Sequence, residues 1–177
     1  MESQKYTFDN FIVDDGNELA HAVAKAVIDN PGLTYNPVFI YGKTQSGKTH
    51  LLQAIKSDVE KLHKQVNVLY TTGKELTMDM ISAIRNEKFK DKADFIEHLM
   101  RYSVVMIDNI DTHVKKDMVD TQKEYNKIID DLVAHNIQVI IAFGLAPSYL
   151  PITSEHFDDS YEKGIIVDIQ APKKLKP

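Results

Sequence analysis

Short apolar runs alternate along the chain with longer stretches of helical period, the pattern of an α/β domain built on a mostly parallel sheet. Five runs read as strands: Val38 to Tyr41, Val66 to Tyr70, Ser103 to Ile107, Ile137 to Ala142 and Ile165 to Ile169, each bounded by polar, Gly or Pro residues. The segments between them read as amphipathic helices. Asn17 to Asp29 gathers Leu19, Ala20, Val23, Ala24 and Val27 on one face, and Lys48 to His63 gathers Leu51, Leu52, Ile55, Val59 and Leu62. Gly73 to Arg101 reads as two helices, the first carrying Leu76, Met80, Ile81 and Ile84 and the second Phe95, Ile96, Leu99 and Met100. Thr121 to His135 supplies another through Tyr125, Ile128, Ile129 and Leu132. Without internal repeats or linkers, residues 1–170 read as one domain. Residues 171–177, with two prolines and three lysines, read as a tail or a truncated linker.

Composition narrows the function classes. An apolar content of 43% over 177 residues is enough for one sizeable core. A formal charge of -5 leaves no overall basic field to draw in nucleic acid or anionic membrane. The absence of cysteine excludes disulfides, thiolate metal sites and thiol nucleophiles. The apolar runs are short and the polar start from Met1 to Asp9 has no signal-peptide core, so a cytoplasmic protein without membrane association is expected.

The sharpest motif is Gly42-Lys43-Thr44-Gln45-Ser46-Gly47-Lys48-Thr49, which fits G-x-x-x-x-G-K-[ST] between an apolar strand and an amphipathic helix. Gly42 and Gly47 let the backbone curl so that its N–H groups point inward at the helix N-terminus, as an anion nest. In such a loop Lys48 reaches the β- and γ-phosphates and the Thr49 hydroxyl meets Mg²⁺. Lys43 reads as a solvated surface lysine. The apolar run Val104-Val105-Met106-Ile107 ends in Asp108, the shape of a Walker B strand whose carboxylate holds Mg²⁺. Asp111 reads as a solvated loop residue.

Together with these motifs, several segments resemble the AAA+ core of the bacterial DnaA replication initiators. They are Tyr6 to Val13, Asn17 to Ala20, Tyr35 to Gly42, Gly47 to Ile55, Asn67 to Tyr70 and Gly164 to Gln170, and they run over nearly the whole chain. The resemblance implies a P-loop NTPase three-layer sandwich with a five-stranded parallel sheet and ATP-dependent assembly on origin DNA. It implies that Phe11 to Asn17, including Val13, lies over the adenine, and that His50 follows the loop as part of the nucleotide site. It also implies that the paired helices between Gly73 and Arg101 are the initiator-specific insertion, which helps to hold single-stranded DNA in the family's filament.

Against the family pattern, several positions depart. The family follows the Walker B aspartate with a second carboxylate, and this chain has Asn109, an amide that orients water but takes no proton from it. The γ-phosphate sensor position after the fourth strand falls on Gly144, and the arginine that reaches a neighbouring subunit's nucleotide is replaced by Ser160. The chain stops before the helical lid and helix-turn-helix that follow in full initiators. Lys115 and Lys116 read as a solvated turn, and no aromatic and basic interleaving marks a platform for bases.

The expectation is therefore a domain that binds ATP or ADP with Mg²⁺ and hydrolyses ATP weakly or not at all, in the initiation or regulation of chromosomal replication. Cofactor contacts fall on Phe11, Val13, Asn17, Gly42, Thr44, Gln45, Ser46, Gly47, Lys48, Thr49 and His50; Thr49 and Asp108 carry the metal; Asp108 and the degenerate Asn109 stand at the catalytic positions. The alternative is a noncatalytic adapter that docks on a replication initiator or another replication protein. Partners expected by resemblance are replication proteins, further copies of the chain and, with less support, single-stranded DNA. A small-molecule kinase on the same loop fits less well, because no basic lid segment follows.

Overall fold

The computed structural model describes residues 6–110, 119–144 and 164–173. Five strands, β1 (Val38–Tyr41), β2 (Val68–Thr72), β3 (Val104–Asp108), β4 (Gln138–Phe143) and β5 (Ile165–Asp168), form one sheet in the order β2-β3-β4-β1-β5. Every pairing is parallel. Helices α1 (Glu18–Asp29) and α2 (Lys48–Leu62) cover one face, and α3 (Gly73–Ile84), α4 (Lys92–Leu99) and α5 (Val119–Ala134) the other. This is the expected three-layer α/β sandwich. Among the described residues no helix is long and apolar enough to cross a membrane.

The sheet divides the core in two. Val38, Ile40, Met106 and Ile140 alternate toward α1 and α2, while Phe39, Val105, Ile107 and Ile141 point toward the other helices, as the two-residue period of a strand requires. β3 and β4 are buried throughout. Helix boundaries match the apolar period closely, with differences at the margins. Leu19 and Leu62 are exposed rather than part of the buried stripe, because each sits at the edge of its helix's apolar face, and Ile81 and Ile84 are likewise exposed on α3.

Strand boundaries also move, by one residue in β3, β4 and β5 and by two in β2. β2 starts two residues later than its apolar run, because the Val66 N–H closes a turn on the His63 carbonyl. It continues through Thr71 and Thr72, which pair with Ile107 and Asp108 of β3. Short β-branched polar residues thus carry the ladder up to the acidic strand end. A single-turn 3₁₀ helix, Phe8–Asn10, precedes α1 and has no apolar period to announce it.

Candidate nucleotide site

The phosphate loop leaves the carboxyl end of β1, between β4 and β5, where open α/β sheets form their binding crevice. Its first glycine is fixed by a close approach: a Cβ on Gly42 would lie 2.2 Å from the Ile169 carbonyl oxygen and 2.7 Å from Ser46 Oγ. The Gly42 N–H donates to the Phe143 carbonyl at 3.1 Å, which anchors the loop to β4. Gly47 has φ +106°, a conformation that favours glycine, and Gln45 is also left-handed, with φ 64°. These turns aim the loop at the N-terminus of α2, which begins on Gly47 without a side-chain cap. The first N–H groups of the helix and its positive dipole end are thereby presented to an anion.

Lys48 is buried, and its ammonium donates to the Gly42 and Lys43 carbonyls of its own loop. The Thr49 hydroxyl donates to Asp108 Oδ2 at 2.7 Å, which ties the start of α2 to the end of β3. Asp108 is 1% exposed, and its other oxygen, Oδ1, has no hydrogen-bond partner. An unpartnered, buried carboxylate oxygen beside the Thr49 hydroxyl is a hard-oxygen donor set, the kind a divalent cation takes, so these residues fit Mg²⁺. Ser46 Oγ, within the loop, is also buried without a partner.

A cleft of about 620 Å³ opens over the loop. Thr44, Gln45, Ser46, Gly47, Lys48, Thr49 and His50 line it from below, and Tyr6, Asn10, Phe11, Ile12 and Asn17 from the N-terminal segment. Asn109, Gly144 and Pro172 complete the wall. Gly42 and Asp108 lie behind it, acting through Ser46, Lys48 and Thr49. Val13 is not in the wall, where the neighbouring Ile12 stands, although the two are equally exposed.

The N-terminal segment is held over the cleft by aromatic and polar contacts. His50 Nε2 lies 2.9 Å from the Thr7 carbonyl and 3.0 Å from Asn10 Oδ1, while its ring packs edge-on against Phe11 at 5.1 Å. Phe11 stacks on His21 at 6.0 Å, and the Lys25 ammonium sits 3.8 Å over the Phe8 ring. Burial, and then the charge of Lys25, hold the His21 imidazole below its ordinary pKa and so favour its neutral form. Asn17 is buried; it accepts from the Asp14 N–H and donates to the Ile12 carbonyl, so its side chain shapes the strap that crosses the cleft.

Asn109 adopts the left-handed conformation, with φ 52°, immediately after β3. The remaining predicted positions, Asp111, Lys115, Lys116 and Ser160, lie outside the described residues. Sequence reasoning missed Tyr6, Asn10 and Pro172 in the wall and Tyr70 behind it, whereas Ile12 falls within the Phe11 to Asn17 segment expected over the adenine. The Tyr70 hydroxyl donates to Asp108 Oδ2 at 2.8 Å. No local pattern marks Tyr70, which meets Asp108 because β2 pairs with β3.

Residues 2–168 match the family model described as the bacterial DnaA ATPase domain. The chain belongs to that family. It is 38% identical over 175 residues to the chromosomal replication initiator protein DnaA of Chloroflexus aurantiacus, which covers 97% of this chain and 35% of the relative. It is 36% identical over 171 residues to DnaA of Caldanaerobacter subterraneus, with 95% and 37% covered. The chain thus spans about a third of the length of these DnaA proteins. Among solved structures, domain III of Thermotoga maritima DnaA superposes with a TM-score of 0.83 at 27% identity, over 97% of this chain and 70% of that one. A replication initiator DnaA bound to AMPPCP and single-stranded DNA superposes with a TM-score of 0.80 at 30% identity, over 96% and 51%. The DnaC helicase loader, at 14% identity and a TM-score of 0.72, shares the fold.

Proposed function

We propose that this chain binds ATP or ADP with Mg²⁺ as the nucleotide-binding unit of a DnaA-type replication protein, and that it turns ATP over slowly. The observation that carries the reading is the junction of loop and strand. The uncapped α2 N-terminus, the buried Lys48 and the Thr49–Asp108 bond converge under one cleft, and a DnaA relative is solved with the ATP analogue AMPPCP. On binding, Lys48 exchanges its loop carbonyls for phosphate oxygens, the α2 N–H groups cradle the anion, and the strap from Phe8 to Asn17 covers the base. Mg²⁺ held by Thr49 and Asp108 would neutralise phosphate charge. Slow turnover follows from Asn109 and Gly144: an amide at the water-activating position takes no proton, and a glycine lends no side chain to the γ-phosphate.

Action in replication initiation, alongside other replication proteins or further copies of the chain, is supported by family membership. Contact with single-stranded DNA is supported by the DNA-bound relative and by Met78, Ile81 and Ile84, which α3 leaves exposed.

Titrating labelled ATP against the wild type and Lys48→Ala tests the core of the proposal. The variant is expected to bind at least tenfold more weakly, the loss of one charge-assisted phosphate contact; equal affinity overturns the assignment of the loop. In single-turnover assays, robust hydrolysis by the wild type overturns the claim about Asn109.

A further inference from the structure

The carboxylate at the end of β3 is held by more than the phosphate loop. Tyr70 stands on β2, the parallel neighbour of β3, two residues before the Thr72 that pairs with Asp108. Its hydroxyl donates to Asp108 Oδ2 at 2.8 Å, the same oxygen that accepts from Thr49 at 2.7 Å. Gln53, one turn along α2 from Thr49, lies close enough to the phenol to influence it. Three elements, α2, β2 and β3, therefore meet on one carboxylate oxygen, while Oδ1 is buried with no partner.

The chemistry of this arrangement is asymmetric. A carboxylate with both donors on one oxygen cannot rotate without losing both bonds, and its second oxygen is left desolvated with no donor to its lone pairs, a costly state for a charged group. Burial first, and then the adjacent Asp108, raise the pKa of the Tyr70 phenol well above its ordinary range. Tyr70 thus keeps its proton at neutral pH and serves Asp108 only as a donor. A phenylalanine would fill the same space between sheet and helix, so packing alone does not account for the hydroxyl.

We propose that Tyr70 is a positioning residue for the cation side of the site: by tying Oδ2 of Asp108 it reserves Oδ1 for the divalent cation, or its water, that arrives with the nucleotide phosphates. The proposal rests on the Mg²⁺-nucleotide reading above. It separates two halves of one site, with Lys48 and the α2 N-terminus serving the phosphates and Tyr70 serving the cation alone.

The test uses the whole chain with Tyr70→Phe, which keeps the ring and removes the hydroxyl. Affinity for labelled ATP is measured across a Mg²⁺ titration and again in EDTA, with thermal unfolding as a check on the fold. The Mg²⁺ concentration that gives half-maximal tightening is expected to rise about threefold to tenfold, as for one weakened charge-assisted contact, with affinity in EDTA equal to wild type. A variant with the wild-type Mg²⁺ midpoint overturns the role of Tyr70 and leaves the nucleotide reading intact, as does an equal loss with and without Mg²⁺. A wild type that binds no ATP overturns both. Should Tyr70→Phe fail to fold, Gln53→Met, which removes the amide near the phenol, is read in the same way with a smaller shift expected.

Discussion

Asn109 sits where the backbone turns left-handed at the mouth of the cleft. Asn, Asp and Gly tolerate that conformation better than longer side chains, which limits how a carboxylate can be restored there. Asn109→Asp keeps the backbone preference and adds a charge that can take a proton from water. It is expected to raise single-turnover hydrolysis on the order of tenfold to a hundredfold while ATP affinity stays near that of the wild type, as read by quench-flow and by titration. A glutamate at the same position has to fight the turn and is expected to gain less. At this scale the sequence was informative about residue types and poor about partners. Lys48, Thr49 and Asp108 stand in motifs whose spacing encodes their chemistry, whereas Tyr70 meets Asp108 only because β2 lies beside β3, a fact of topology that no local pattern carries. Val13 shows the same limit: Ile12, and not Val13, stands in the cleft wall, and alternation at an irregular turn has no period from which to read the inward face.

Among the elements, α3 shows most plainly how local chemistry sets a boundary. Thr72, the last residue of β2, caps the helix: its hydroxyl accepts from the Glu75 N–H at 3.2 Å, and Glu75 Oε2 accepts from the Thr72 N–H at 2.9 Å. The same residue ends a strand next to Asp108 and starts a helix on the opposite face of the sheet from the phosphate loop. Thr72→Ala is expected to cost about 1 kcal/mol in a denaturant melt, with little change in ATP affinity. Donation by the Thr72 N–H, and then by its hydroxyl, holds the Glu75 carboxyl below its ordinary 4.5. A depressed acid contributes its stability above the unfolded pKa and loses it as pH falls through the folded one. The stability lead of the wild type over Glu75→Gln is therefore expected to be constant above about pH 4.5 and to shrink in more acidic buffer. Elements with a strong period were legible almost to the residue, as β1 and α2 show, because a buried face imposes its spacing on the chain. The 3₁₀ turn at Phe8–Asn10 was not, since three residues held by His50 from another helix carry no period of their own.

For the molecule as a whole, the sheet order puts β1 in the interior, with β4 on one side and β5 on the other. The phosphate loop thus springs from an interior strand, and ligand binding is linked to global stability rather than to a loose surface loop. ATP with Mg²⁺ at about a hundredfold excess over its dissociation constant is expected to add about 2.7 kcal/mol, or roughly 5 to 10 °C in the unfolding midpoint for a domain of this size. Lys48→Ala should lose most of that increment.

The segment that follows β5 gives the cleft a second attachment. The Gln170 N–H donates to the Gly16 carbonyl at 2.9 Å and the Lys173 N–H to Asp14 Oδ2 at 2.7 Å, while the Ile169 carbonyl is the surface on which Gly42 rests. Two stretches of chain more than 150 residues apart in sequence are therefore stitched into one flap beside the phosphate loop. The strap over the cleft therefore owes its position as much to the residues that follow β5 as to those that precede α1, and loss of either attachment loosens the wall beside the phosphate loop.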